Sequence, residues 1–154
     1  DFDLGELPPD EDPEGRARYF LKMLDSLAEQ GTVEAKRNRS ALIEAVAEYG
    51  EKSKANRAEA LMLMKARLMG LEQGVVQLLS RSTKKLRDKV VEQARKLGAS
   101  APGQTARQLA DGMNVVLEAL DTMGRAVMEG RKDLRDQANS LMAKAREIMQ
   151  PLQK

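Results

Sequence analysis

The chain has 154 residues, 42% apolar and 32% charged, with only 3% aromatic (Phe2, Tyr19, Phe20, Tyr49), nine methionines, and neither cysteine nor histidine. That length and aliphatic make-up point to one domain built from long helices, and exclude disulfides, thiolate or imidazole metal sites, cysteine nucleophiles and histidine bases or pH switches. The net charge of +2 hides an asymmetry, because residues 1–14 carry seven acidic and no basic side chains.

Read in chain order, DFDLGELPPDEDPEG opens without the basic and then apolar run of an export signal,. A soluble chain is expected, cytoplasmic or exported without a visible signal peptide. Residues 1–12 form an acidic tail with two readings: a flexible spacer, or a docking peptide. In the second, Phe2, Leu4 and Leu7 enter a groove while the carboxylates meet basic residues of this molecule or another. Residues 13–154 are expected to be a single helical-bundle domain.

Its first helix, about 13–30, starts at Asp12-Pro13, an N-cap followed by a first-turn proline, and carries Tyr19, Phe20, Met23, Leu24 and Leu27 at helical spacing,. A second, about 33–49, offers Val33, Leu42, Ile43, Val46 and Tyr49, and GEKSKANR (50–57) then lacks any large apolar residue, favouring a break or bend,. The third, about 55–97, repeats apolar residues by threes and fours from Leu61 to Leu97, until GASAPGQT (98–105) stops it,. The last, about 105–150, alternates steps of four and three from Leu109 to Leu152 and weakens at Gly130 and Gln137,. A short Gly/Pro connection between two long helices makes them antiparallel neighbours. The expected fold is therefore all-α: an elongated antiparallel three- or four-helix bundle on a long coiled-coil-like hairpin.

The densest apolar stretch is LMLMKARLMGLEQGVVQLL (61–79). Lys65, Arg67 and Glu72 within it speak against a membrane span, which needs about 18 uncharged residues. On a helical wheel Leu61, Met64, Leu68, Leu71, Val75, Leu78 and Leu79 share one arc, and Met62, Met69 and Val76 another. Two stripes leave three readings: both in the bundle's own core, the second stripe open for a partner, or an amphipathic helix that opens onto lipid. Gly70 and Gly74 in GLEQG read as surface glycines rather than a close helix crossing.

No catalytic, cofactor-binding or metal-ligating set emerges. Carboxylate pairs such as Asp133 and Asp136 have the spacing of a solvated helix face, and no phosphate loop or nucleophile elbow occurs. Residues 81–96 carry Arg81, Lys84, Lys85, Arg87, Lys89, Arg95 and Lys96 against Asp88 and Glu92. This run suits either the negative end of the helix dipole or an anionic partner.

The expectation is a non-enzymatic helical module for protein–protein interaction or self-assembly. Peripheral binding to anionic membrane through residues 81–96 is the first alternative, and a nucleic-acid-associated structural role the second. Bundles of this kind occur among bacterial secretion-associated proteins and secreted effectors, a likeness of fold alone.

Overall fold

In the computed structural model, which describes residues 4–153, five α-helices follow one another and end in a short 3-10 turn. They are α1 (Pro13–Leu27), α2 (Val33–Ser53), α3 (Arg57–Leu97), α4 (Ala101–Glu129) and α5 (Lys132–Met149). The fold is all-α, with no strand among the described residues.

Short polar side chains set the helix starts by accepting from first-turn amides that have no partner within the helix. Asp12 caps α1 by accepting from Gly15 N at 3.0 Å, Thr32 caps α2, Asn56 caps α3 and Ser100 caps α4. The break expected in GEKSKANR falls at Lys54–Asn56, so α2 runs four residues past the expected Tyr49. Pro102 interrupts nothing, because it sits in the first turn of α4, where a missing N–H is harmless,.

The main departure from expectation is at Gly130. Its φ of +63° puts it in the left-handed conformation, its N–H bonds Ala126 O at 2.9 Å, and α5 then folds back along α4,. The expected single helix over 105–150 is therefore two antiparallel helices. The reversal also resets the phase: α5 buries Leu134, Ala138, Met142, Ala145 and Met149, while Gln137, where the expected seam weakens, faces solvent.

Ion pairs and hydrogen bonds orient the remaining helices. Arg16 meets Glu72 and Glu29 meets Lys85, so α1 runs parallel to α3. Arg67 pairs with Glu48 and Arg81 with Glu34, so α2 runs antiparallel to α3. Gln73 Nε2 donates to Gly124 O at 2.8 Å and Arg87 to Asn114 at 3.0 Å, which makes α4 antiparallel to α3 as the Gly/Pro connection implied. Gln108 Nε2 donates to Ile148 O, and a Cβ at Gly112 would collide with Met149, which fixes how closely α4 and α5 approach.

Phe20 and Met23 of α1, Leu42 of α2, Val75 and Leu79 of α3, Val116, Leu120 and Met123 of α4, and Met142 of α5 form the centre of one core. On α2 only a narrow face is covered. Leu42 and Ala45 are buried, but Val33 and Ile43, expected on the apolar side, are exposed.

At 41 residues α3 is about 60 Å long, nearly three times the reach of α1 with its 15,. It therefore outruns its neighbours at both ends. Near its C-terminus α1 has ended beside Lys85 and α5 beside Gly112, leaving the α3–α4 hairpin to project. Near its N-terminus α4 has already stopped at Glu129, and Ala60 and Met64 pack against Ala45 and Tyr49 of α2.

Candidate interaction surfaces

Where α4 ends, α3, the start of α1 and the Gly130 turn enclose a cavity of about 360 Å³. Leu68, Met69, Val127 and Met128 give it apolar walls, and Lys65, Asp10, Arg16 and Glu72 supply charge. A smaller depression lined by Arg131, Lys132 and Arg135 adjoins it across Asp10, Arg16 and Gly130.

The floor is a buried ion pair. Arg16 Nε and Nη2 donate to the two carboxylate oxygens of Glu72 at 3.0 and 2.7 Å, and Nη1 donates to Asp10 Oδ1 at 2.5 Å and to Pro8 O at 3.4 Å. Burial lifts the Glu72 carboxyl above the usual carboxylate range, and the lowering by the hydrogen bonds and charge of Arg16 does not offset it,. From the sequence, Glu72 counted only as a charge against a membrane span, and this pair was missed. A signal was present: Leu68, Glu72, Val75 and Leu79 share one spacing, as do Arg16, Phe20 and Met23, so both charges lie on apolar faces,.

Of the five described residues among the six expected at a partner interface, only Met62 and Met69 are open. Met62 is 69% exposed and stands seven residues from Met69, which lines the cavity together with Met128, 70% exposed. Val76, expected on the same open stripe, is 6% exposed, because it lies farther along α3, where Gly124 of α4 covers it. Leu7 is also withdrawn: it is buried in the core, and its N–H bonds Asn139 Oδ1 at 2.7 Å, so this part of the acidic tail docks on its own molecule. Leu4 is half-buried beside it, and Phe2 lies outside the described residues. Gly70 meets nothing within 4 Å of a notional Cβ, and Gly74 only Asn38 at 3.6 Å, so GLEQG makes no close crossing.

The basic run is partly spent within the molecule. Arg81 pairs with Glu34, Lys85 with Glu29 at 3.4 Å, Arg87 with Asp88 at 3.1 Å and Arg95 with Glu92 at 2.6 Å. Lys84, Lys89 and Lys96 point to solvent. No helix among the described residues is long and apolar enough to cross a membrane. No group of three or more acidic side chains among them is placed to hold a metal ion. The Tyr19 hydroxyl is buried without a hydrogen-bond partner among the described residues, and burial pushes its pKa up against the pull of Arg146.

No protein-family model, curated protein or solved structure matches the chain.

Proposed function

We propose that the chain is a non-catalytic helical module that binds another protein through the methionine-lined cavity at the Gly130 turn. The observation that carries this reading is the pair Met69 and Met128, exposed together at a recess with apolar walls, with the exposed Met62 two turns away along α3, on a chain whose other large apolar side chains are mostly covered,. Unbranched thioether side chains adapt to a partner's shape, and a recess of this size accepts two or three side chains of a docked segment. The buried charges favour binding over catalysis, since Arg16 and Glu72 are bonded to each other and neither is free to act as an acid or base,.

Self-assembly is the same chemistry with a second copy as partner. Membrane or nucleic-acid binding through residues 81–96 has weaker support, because four of its seven basic side chains are already ion-paired. The test is light scattering and affinity capture with the wild-type chain and the Met62→Glu/Met69→Glu variant. Both positions are exposed, so helicity should be retained while self-association or a captured partner is lost. A wild-type chain that stays monomeric and captures nothing, or a variant that behaves as wild type, would refute the reading.

A further inference from the structure

A second surface, independent of the methionine cavity, lies at the far end of α3. Leu68, Glu72, Val75, Leu79, Thr83, Leu86, Val90 and Leu97 follow one another by threes, fours and sevens and so form one stripe along the helix,. From Leu68 to Thr83, every member is buried, where α1 and its neighbours cover it. Past the Glu29–Lys85 ion pair α1 is gone and the stripe opens: Val90 is half-buried, Leu86 is 48% exposed and Leu97 41%. Ala94 is the one fully buried residue between 84 and 97.

Each open member of the stripe is preceded by a lysine, giving Lys85-Leu86, Lys89-Val90 and Lys96-Leu97. These lysines share the same spacing and form a cationic rim along one side of the stripe, in which the one carboxylate, Glu92, is already paired with Arg95,. The chain itself shows what such a rim accepts, since Glu29, just past the end of α1, pairs with Lys85 at 3.4 Å. We infer that the Leu86–Val90–Leu97 stripe, with its rim of Lys85, Lys89 and Lys96, seats an acidic amphipathic helix of a partner protein, laid end to end with α1.

The dimensions agree. Leu86 to Leu97 spans about 16 Å, three turns of a bound helix. Charge selects the occupant: two copies of this tip set face to face would oppose the same lysines, which disfavours symmetric self-pairing. Burial on α1 earlier in the same stripe favours a helix over a lipid surface, as does the absence of aromatic side chains in α3,.

Two dye-labelled, stapled helical peptides of about 14 residues test the assignment by fluorescence anisotropy on the full chain. One has a leucine face flanked by glutamates, and the other has lysines in place of the glutamates. The wild-type chain should bind the acidic peptide, and Lys89→Glu/Lys96→Glu should weaken it about tenfold while gaining the basic peptide. Leu86→Asp/Leu97→Asp should lose both, with melting curves verifying that these exposed substitutions leave the fold intact. No binding of the acidic peptide, or binding that ignores the variants, overturns the inference. So does preferential binding to phosphatidylserine vesicles that the same variants abolish, or a wild-type dimer that they dissociate.

Discussion

Arg16 and Glu72 are the least replaceable polar residues in this molecule, because each is buried and each is the other's main partner. Removing one leaves an uncompensated charge, whereas replacing both with apolar side chains removes the desolvation penalty along with the attraction. Glu72→Leu alone should therefore destabilise the fold by about 3–5 kcal/mol, and Arg16→Met/Glu72→Leu by clearly less, measured by urea unfolding. The pair also carries a pH signature. Burial raises the Glu72 pKa in the folded chain above its ordinary value of 4.5, so the folded state holds this proton at pH values where the unfolded chain has released it,. Stability from Glu72 is then fully present below that value and declines as pH rises through the folded pKa. Across that window the wild type should lose stability relative to Glu72→Gln. A wild-type advantage that grows with pH would mean instead that the Arg16 attraction outweighs burial. At this scale the sequence was only partly legible: the pattern located Met62 and Met69, but could not tell that Val76, on the same face, is covered at Gly124 while the other two stay exposed.

At the scale of elements, Gly130 determines whether residues 101–149 form one helix or a hairpin. A Cβ there meets nothing within 4 Å, so Gly130→Ala tests backbone conformation alone. Holding alanine at positive φ should destabilise by about 1–2 kcal/mol. Gly70 is the internal comparison, because it is exposed in mid-helix with nothing near its Cβ position, and Gly70→Ala should stabilise by up to about 1 kcal/mol,. Equal responses of the two in urea unfolding would argue against the turn. The start of α1 was legible because its cap is local chemistry, Asp12-Pro13, whereas Ser100 opens α4 at Ala101, four residues before the expected 105. The reversal at Gly130 was not, since both helices of a hairpin bury a face with the same three-four spacing, and that spacing runs on through a turn of the right length. The weakened seam at Gly130 and Gln137 was the trace it left,.

For the molecule as a whole, composition and periodicity sufficed for the all-α class, while the open surfaces depend on something no single stripe encodes, namely where a neighbouring helix stops. Both proposed sites arise from the same mismatch, a 41-residue α3 beside shorter partners. It leaves the α4-facing stripe bare around Met62 and the α1-facing stripe bare around Leu86 and Leu97. Local stability should follow the same map, because opening a helix end exposes little apolar surface where few neighbours pack on it. In native-state hydrogen exchange the slowest amides should lie in the middle of α3 and α4, around Val75–Leu79 and Val116–Met123, where the most deeply buried side chains sit. Amides from Val91 to Leu97 and from Arg57 to Leu63 should exchange faster although they belong to the same unbroken helix. Uniform protection along α3 would mean that both tips are covered in solution, and repeating the measurement over a range of protein concentrations would show whether a second copy covers them. Faster exchange at both tips, slowed at the C-terminal tip alone by the acidic peptide, would instead identify that tip as the part of α3 that a partner helix completes.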